Sequence, residues 1–447
     1  MHNNFVWGIA SAAFQVEGAY LEDGKKESIW DVMCHEKGKT KYGDTGDVAC
    51  DHYHRYKEDV KLMADLGIKA YRFSIAWSRV LPDGSGAVNT KGLEFYDNLI
   101  NELQKYGIEP YVTLYHWDLP QALYERGGWL NPEIKEWFYQ YAKLIGEHFG
   151  DRVKNFITIN EPSNIIKGMT EGGGNAPNVG FSLKDRLSAI HNVLKSHGRA
   201  VQALRETVED VKIGYAPCCC PVCPEDENNP ELCEEARRRF FSLAEGDMGD
   251  VVTLYCDPVF LGKYPDEYYT YYKDVMPIIE SGDMELISQP IDYCFINIYS
   301  GTLINTDADG GIIEKLNYCP RNMLGWPIVP KVLYWGPKFL EERYGKPVMI
   351  TENGYPCPDV ICLDGKIHDT LRIDFVERYL REMERAIEDG VDIRGYFYWT
   401  ILDNLEWELG FEPRFGLVYI DFDTLKRIPK DSYYYYQKRI CKYSREA

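Results

Sequence analysis

Long apolar segments are absent from this chain of 447 residues. No stretch approaches the roughly 20 consecutive apolar residues that a membrane-spanning helix requires. Residues 1–8 also lack the basic region followed by an apolar run that marks a secretory signal. We therefore expect a cytoplasmic protein with no membrane partner.

Positive charge is scarce relative to negative charge. The chain has 70 Asp and Glu residues against 50 Lys and Arg residues, and its formal net charge is −20 at pH 7. Binding to nucleic acid or to an anionic membrane depends on patches of Lys and Arg. The composition argues against nucleic acid as a partner and favours a neutral small molecule, and it leaves the oligomeric state open.

Motifs for nucleotides and metals are missing as well. No G-x-G-x-x-G or P-loop pattern stands between a predicted strand and a helix. The thirteen cysteines are scattered, except for one cluster. The cluster comprises Cys218, Cys219, Cys220, Cys223 and Cys233. Its single C-x-x-C spacing falls short of the paired ligands of a structural zinc site, so we expect reduced thiols, no metal and no cofactor.

Eight apolar runs alternate with amphipathic helices along the chain. The predicted strands cover residues 5–10, 70–75, 110–115, 155–160, 211–216, 291–297, 347–352 and 393–400. Two helices are clearly marked, one at 134–148 that ends before Gly150 and one at 369–389 that ends before Gly390. This alternation predicts an α/β fold, a single (β/α)₈ TIM barrel with elaborated loops over residues 1–447. An open doubly wound sheet is the alternative.

Two carboxylates follow apolar runs at the ends of predicted strands. Glu161 ends the run at 157–161 before Pro162, and Glu352 ends the run at 348–352 before Asn353. Because the carboxyl ends of barrel strands meet at one face, these side chains are expected to lie close together. Glycoside hydrolysis needs such a pair, although turn residues, metal ligands or an inverting pair would fit the same pattern.

Further polar and aromatic residues fall at the same strand ends. They are Gln15, Arg72, His116, Trp117, Asn160, Asn297, Tyr299, Trp399, Glu406 and Trp407. Each alone is explained by packing or by a turn. Together they favour a carbohydrate site, because sugars stack their apolar faces on aromatic rings and need dense hydrogen bonding around their hydroxyls.

Several blocks of sequence carry a family resemblance. They lie at residues 12–18, 71–79, 114–120, 160–162, 350–354 and 399–407, and include the motifs Asn-Glu-Pro and Ile-Thr-Glu-Asn-Gly. In this order and at this spacing, the chain resembles glycoside hydrolase family 1, the retaining β-glucosidase family, over nearly its whole length. The resemblance implies a retaining exo-β-glycosidase that cleaves a terminal β-linked sugar through a covalent glycosyl-enzyme intermediate.

The resemblance also implies roles for the two carboxylates. Glu352 would be the nucleophile and Glu161 the general acid/base, and a retaining mechanism places two such groups about 5 to 5.5 Å apart. Arg72 and Tyr299 would hold Glu352 ionised. The pKa of Glu161 would instead be raised by burial and by the neighbouring negative charge.

The sugar-binding roles are carried over in the same way. Asn160 would bind the 2-hydroxyl, and Gln15, His116 and Glu406 the outer hydroxyls. Trp399 would form the stacking floor with Trp407 beside it. The lining would be completed by Trp117, Asn297, Tyr299 and Phe415.

Substrate identity stays open among several alternatives. Glucosides are the first expectation, and galactosides or fucosides the next. A 6-phospho-β-glycosidase is disfavoured because Glu406 would face a phosphate, whereas family members of that type carry a small polar residue there. A transglycosylase uses the same residues, and a non-catalytic sugar-binding relative would be expected to lack Glu161 or Glu352.

The chain departs from the family pattern around the outer part of the site. Ser163 stands where an aromatic residue is common, Asn178 where Gly is common, and Ile298 where Tyr is commoner. We expect the loop at 171–178 to have its own shape. The cysteine cluster follows the fifth strand, so its thiols either line the outer cleft or form a surface loop.

Overall fold

The residues predicted as strands form a closed ring. The structure is a computed structural model, and it describes residues 5–243, 251–315 and 319–446. Its strands are β1 (Val6–Ala10), β2 (Ala70–Ser74), β3 (Glu109–Tyr115), β4 (Asn155–Asn160), β5 (Lys212–Ala216), β6 (Val222–Pro224), β7 (Tyr293–Asn297), β8 (Thr302–Thr306), β9 (Ile312–Glu314), β10 (Val348–Asn353), β11 (Ile393–Trp399), β12 (Val418–Asp421) and β13 (Lys426–Pro429).

Eight of these strands close into a parallel barrel. Their order around the ring is β1-β2-β3-β4-β5-β7-β10-β11, and every pairing is parallel. Each of the eight predicted strands begins and ends within two residues of an observed one. The (β/α)₈ barrel is therefore confirmed, and the open doubly wound sheet is excluded.

Helices cover the outside of the barrel and its loops. They are α1 (Ala13–Val16), α2 (Ile29–His35), α3 (His52–Leu66), α4 (Trp77–Val80), α5 (Thr90–Lys105), α6 (Gln121–Glu125), α7 (Ile134–Phe149), α8 (Pro162–Gly168), α9 (Leu183–Thr207), α10 (Pro230–Phe241), α11 (Val252–Leu261), α12 (Asp266–Tyr271), α13 (Asp283–Ile287), α14 (Val332–Tyr344), α15 (Thr370–Glu388) and α16 (Asp431–Glu446). Short 3₁₀ turns lie at Glu22–Gly24, Lys41–Gly43, Gly128–Leu130 and Trp407–Leu409.

The two clearly marked helices are confirmed as α7 and α15. Helix α7 buries its apolar stripe, which includes Phe138, Tyr141 and Ile145, and ends at Gly150. Helix α15 buries Val376 and Met383 in the same way. Such a stripe forms because apolar residues at three- and four-residue spacing share one helix face. No helix in the described ranges is both long enough and apolar enough to cross a membrane.

Aromatic and aliphatic side chains fill the barrel interior. A buried cluster there includes Tyr111, Ile157, Phe295, Met349 and Phe397. A Cβ atom on Gly8 would lie 2.4 Å from the Phe397 ring, and one on Gly214 would lie 2.1 Å from the Phe295 ring. Glycine at these two positions leaves space for the rings to enter the barrel.

The same cluster reaches the carboxyl ends of the strands through Trp399 and Phe415. Loops at this end are elaborated. Strands β6, β8 and β9 form one small sheet, and β12 and β13 form an antiparallel pair. The core thus provides a rigid floor below a rim of loops. Residues 1–4, part of the N-terminus on which the expected location depends, lie outside the described residues.

Candidate active site

The two carboxylates lie at the carboxyl end of the barrel, as predicted. Glu352 belongs to β10 and stands in register with Asn297 of β7. Glu161 follows β4 directly and precedes Pro162, the first residue of α8. Its backbone φ of 40° lies in the left-handed region, which costs a non-glycine residue roughly 1 to 2 kcal/mol. Strain of this kind, held in place by the surrounding structure, is typical of functional positions.

Glu352 accepts hydrogen bonds on both carboxyl oxygens. The Arg72 guanidinium donates from Nη1 to Oε1 at 2.6 Å, and the Tyr299 hydroxyl donates to Oε2 at 2.6 Å. Arg72 is itself buried, and it is fixed by bonds to the Thr113 hydroxyl and to the Thr351 carbonyl. Both groups predicted to contact Glu352 therefore do so.

Glu161 has a different set of partners. Asn297 donates from Nδ2 to Oε1 at 2.8 Å, and Asn164 donates from Nδ2 to Oε2 at 2.6 Å. The thiol of Cys218 lies beside this carboxyl and acts to lower its pKa. Both carboxyl oxygens of Glu161 are thus bound by neutral donors, whereas Glu352 is bound by a cation.

Sequence reasoning missed Asn164 and Cys218 as partners of Glu161. Asn164 lies three residues after Glu161, and its backbone N–H donates to the Glu161 carbonyl. That spacing at a helix start was a usable signal. Cys218 follows β5 and pairs with Asn297 in an isolated bridge, which brings it to the rim. This position could not be derived without knowing which strands are neighbours.

Burial raises the pKa of both carboxyls. The pKa of Glu352 rises to about 7, because burial and the nearby Glu161 outweigh the opposing effects of Arg72 and the Tyr299 hydroxyl. Arg72 and the Tyr299 hydroxyl each lower the pKa of Glu352, as expected of groups that favour its ionised form, but the combined effect of burial and Glu161 is larger. The pKa of Glu161 is raised, as expected, and burial is the main cause.

Asn160 connects the two halves of the site. Its Oδ1 accepts hydrogen bonds from Arg72 and, at 3.0 Å, from Nδ2 of Asn297. Its Nδ2 therefore faces His116 Nε2, at 3.1 Å, and must donate to it. Burial and the charge of Arg72 lower the pKa of His116, so the imidazole is neutral and carries its proton on Nδ1.

Several buried polar atoms around this network have no protein partner. Among the described residues they include Nδ1 of His116, Oε1 of Gln15 and Nδ2 of Asn404. A buried polar atom without a partner costs free energy, and its presence in a cleft indicates a ligand or water that hydrogen-bonds there. These atoms suit the hydroxyls of a polyol.

Gln15 and Glu406 lie together on the rim. Gln15 Nε2 donates to the Leu405 carbonyl at 2.8 Å and to Oε2 of Glu406 at 3.4 Å. Burial is the main cause that raises the pKa of Glu406 well above its usual value, and the carboxyls of Glu408, Glu352 and Glu161 add to it. Four carboxyls are therefore concentrated near this side of the cleft, and each disfavours ionisation of the others.

Aromatic rings form the remaining walls. Trp407 packs against Trp117 with ring centroids 4.5 Å apart, and His116 stacks on Trp399 at 5.9 Å. Both Trp117 and Trp407 have positive φ angles, 78° and 52°. The rings provide flat apolar surfaces beside the hydrogen-bonding atoms.

Phe415 is set back from this wall. It is buried, and its ring lies 6.1 Å from that of Tyr299. Trp326 lies 5.6 Å from the same tyrosine and was not predicted from the sequence. Its loop after β9 carries no strand or helix signal that would place it at the cleft.

The loop after α8 contains a left-handed residue at Asn178, and its expected difference in shape from other family members stays a prediction. Asn178 adopts a φ of 57°, and its side chain accepts a hydrogen bond from the Gly172 backbone at 2.8 Å. Asn and Gly are the two residues that tolerate this conformation best, which explains how Asn stands where Gly is common. Ser163 and Ile298 are both buried.

The cysteine cluster is divided between the cleft and the surface. Cys219 and Cys223 are buried, Cys220 is exposed, and none of these thiols forms a disulfide. Within the ranges that the structure describes, no group of three or more His, Cys, Asp or Glu side chains is arranged to hold a metal ion. Of the cluster, Cys218 is the member that lies beside Glu161.

Comparison with known proteins gives consistent results. Residues 1–444 match the model of glycosyl hydrolase family 1. Beta-glucosidase A of Thermotoga maritima is 43% identical over 441 residues, which cover 98% of this chain and 96% of the relative. Beta-glucosidase A of Acetivibrio thermocellus is 44% identical over 448 residues, covering 98% and 97%. The solved structure of the T. maritima beta-glucosidase in complex with glucoimidazole has a TM-score of 0.89 at 42% identity and covers 98% of each chain.

Proposed function

We propose, from the premise that this chain belongs to glycosyl hydrolase family 1 and is an enzyme that hydrolyses O-glycosyl bonds, that it is a retaining exo-β-glucosidase. The observation that carries the proposal is the pair of buried carboxyls with unlike partners. Glu352 is bound by the Arg72 guanidinium, whereas Glu161 is bound by the amides of Asn164 and Asn297.

Each carboxyl suits one role in a double displacement. Glu352 would attack the anomeric carbon, while Arg72 and Tyr299 favour its ionised form and fix its orientation. Glu161 would protonate the departing glycosidic oxygen and then, as a carboxylate, take a proton from the attacking water. The pair must carry one proton in total, so activity requires a pH between its two macroscopic pKa values.

The partners of Glu161 support its change of role between the two steps. After it has given up its proton, its carboxylate oxygens accept hydrogen bonds from Asn297 and Asn164, which stabilise the charge. Neutral donors provide this stabilisation without the full effect of a buried cation. Glu161 can therefore be protonated again for the next turnover.

The residues around the pair suit a single terminal sugar. We propose that Asn160 binds the 2-hydroxyl and that Gln15, His116 and Glu406 bind the outer hydroxyls. Buried atoms of Gln15 and His116 lack protein partners, which supports this assignment. The sugar would stack on Trp399 and Trp407. The lining would be completed by Trp117, Asn297, Tyr299 and Phe415.

A 6-phosphorylated sugar is the less favoured substrate. Glu406 lies close enough to Glu408, Glu352 and Glu161 for their charges to raise its pKa, so a phosphate dianion placed among these carboxyls would add unfavourable negative charge. Lys167 attracts Glu161 and Glu408 and partly offsets that charge. Neither step of the mechanism calls for a cofactor. We also propose that residues 1–447 act as one catalytic domain in the cytoplasm.

A hydrolysis panel tests this function. Purified enzyme is assayed with 4-nitrophenyl β-glucoside, β-galactoside and β-fucoside and with their 6-phospho counterparts. The highest kcat/KM is expected for a non-phosphorylated substrate, with the glucoside first. Proton NMR of the early products should show the β-anomer, since two displacements retain configuration. A preference for a phosphorylated substrate, or the α-anomer as first product, would refute the proposal.

A further inference from the structure

Two side-chain amides hold the carboxyl of Glu161. Asn297 donates from Nδ2 to Oε1 at 2.8 Å, and Asn164 donates from Nδ2 to Oε2 at 2.6 Å. An amide carries donors on its nitrogen and an acceptor on its oxygen, so a half-turn would convert either group from a donor into an acceptor. Whether each amide can turn therefore decides what the proton of Glu161 meets.

The Asn297 amide is fixed from the side of Arg72. A guanidinium only donates, so the oxygen of Asn160, and not its nitrogen, must face Arg72. Asn297 Nδ2 lies 3.0 Å from that Asn160 oxygen, and a turned amide would bring two oxygens together there. Asn297 can therefore only donate to Glu161.

The Asn164 amide is fixed by Asn175. The backbone carbonyl of Asn164 only accepts, and it lies 3.1 Å from Asn175 Nδ2, so the nitrogen of the Asn175 amide must face it. The same nitrogen donates to Oδ1 of Asn164 at 3.1 Å. Because its oxygen accepts this bond, Asn164 presents its Nδ2 to Glu161.

Close packing against α8 keeps Asn175 in this position. The loop that carries it touches the helix, and a Cβ atom on Gly168 would lie 2.1 Å from the Ala176 carbonyl oxygen. The backbone N–H of Val179 also donates to the Gly168 carbonyl at 3.2 Å. Asn175 is buried between the loop and the helix.

Both oxygens of Glu161 thus face groups that donate and cannot turn to accept. When Glu161 is protonated, its O–H finds no acceptor in either amide, and the Cys218 thiol beside it is a weak acceptor. The proton stays available to the glycosidic oxygen. As that oxygen takes the proton, it keeps the electrons of the broken C–O bond, Glu352 bonds to the anomeric carbon, and the new carboxylate meets two N–H donors.

We propose that Asn175 is a positioning residue for the proton donor, which acts through Asn164 by fixing the direction of the hydrogen bond to Glu161. Its contacts run from Asn175 to Asn164 and from Asn164 to the carboxyl, so its effect on the reaction is indirect. The inference rests on the proposed function, because it takes Glu161 as the acid/base.

A pH profile tests the contact made by Asn164. Full-length wild type and Asn164→Leu are assayed with methyl β-glucoside, and the alkaline limb of kcat/KM is measured. Loss of the donor destabilises the carboxylate, so the limb should move up by about one pH unit. The control Asn155→Leu removes a bond of equal length, 2.6 Å to Glu109, at the amino end of β4, and its limb should stay in place. An unmoved limb in folded Asn164→Leu would overturn the proposal.

A double-mutant cycle tests the part played by Asn175. In Asn175→Ala the Asn164 amide can turn and accept the proton of Glu161, so the alkaline limb should again rise. The kcat/KM should fall about tenfold for methyl β-glucoside, but less than about twofold for 2,4-dinitrophenyl β-glucoside, which departs without protonation. Added to Asn164→Leu, the same change should move the limb no further, because no amide is left to turn.

Two outcomes of the cycle would overturn the proposal. A further shift of the limb in the double variant would show that Asn175 does not act through Asn164. Equal losses on the two glucosides in Asn175→Ala would show that it supports the fold and not the proton transfer. Failure of the proposed function looks different, since the unaltered enzyme would then hydrolyse neither glucoside.

Discussion

Two buried groups of charged side chains in this protein differ in how far their positive and negative charges balance. Near α15 and β13, three cations meet three carboxylates, and these are Arg372, Arg414, Lys430, Asp359, Asp369 and Asp403. Lys430 lies 2.6 Å from Asp403, and both side chains are fully buried. Every cation there contacts at least one carboxylate, so the charges balance.

The barrel mouth lacks that balance. Arg72 forms an ion pair with Glu352, while Glu161 is bound by neutral amides and Glu406 by Gln15. The pKa of each of these three carboxyls is raised. A balanced group holds its charges constant and serves the fold. An unbalanced group is left able to exchange protons near neutral pH, which catalysis by proton transfer requires.

Of the variants that distinguish the two charge groups, Glu352→Ala should have the largest effect, and that effect is on activity. Loss of a nucleophile should lower kcat by about 10⁴-fold or more, because the glycosyl intermediate can no longer form. Added azide should restore turnover and yield the α-glycosyl azide, as NMR would show. Activity above about one per cent of wild type in a preparation free of contaminating enzyme would rule out Glu352 as nucleophile.

Glu161→Ala should have a smaller effect that depends on the substrate. The kcat/KM for an alkyl glucoside, whose leaving group needs a proton, should fall by about 10³-fold. For 2,4-dinitrophenyl β-glucoside, which departs without protonation, the same quantity should fall by less than about tenfold. Azide should yield the β-glycosyl azide. An equal loss on both substrates would mean that Glu161 is not the proton donor.

Lys430→Met should lower stability rather than activity. Removal of the lysine leaves three buried carboxylates with two cations, Arg372 and Arg414, and this uncompensated charge should cost about 3 to 5 kcal/mol in the free energy of unfolding. The kcat per folded molecule should stay within twofold of wild type. The control is Lys91→Met, whose exposed pair with Asp23 should contribute little to stability because solvent screens it. Similar losses of stability in both variants would contradict the contrast between the groups.

Local sequence was sufficient to predict the barrel strands and the end of the barrel at which the two carboxylates lie. Apolar runs bounded by Pro and Gly indicated the barrel strands, and their carboxyl ends indicated where Glu161 and Glu352 meet. The pKa of Glu352 could not be predicted, because its direction is a balance between burial and Arg72 that only the three-dimensional arrangement sets. The position of Cys218 beside Glu161 likewise depends on which strands are neighbours, whereas Asn164 lies only three residues after Glu161 and could have been predicted.

Tyr299→Phe tests the pKa of Glu352 at the barrel mouth through a smaller change. The pKa of Glu352 is about 7, so kcat/KM of the wild type should fall as pH drops below about 7 and the nucleophile is protonated. The hydroxyl of Tyr299 stabilises the ionised form, and its removal should move this acid limb upward by about one unit. The variant should therefore lose about tenfold at pH 6 and less at pH 8. An acid limb that stays in place would assign Tyr299 a purely structural role.

Glu406→Gln should give the smallest effect, and on stability it should be favourable. A carboxyl whose pKa is raised in the folded state contributes stability at low pH that is lost as pH rises through that pKa. A neutral amide avoids this loss, so the variant should be about 1 kcal/mol more stable near pH 8 and equal to wild type near pH 4. Urea unfolding at both values provides the measurement. KM should rise, and a variant that is less stable at pH 8 would contradict this sign.

Arg72 and Glu352 contact each other although they stand 280 residues apart in the chain. Arg72 lies on β2, Glu352 on β10 and Asn160 on β4, so a single guanidinium bridges side chains from separate thirds of the sequence. No fragment that ends before β10 can assemble this contact. During refolding, recovery of hydrolysis should thus lag behind recovery of helical structure. The return of enzymatic activity would then report when the barrel closes.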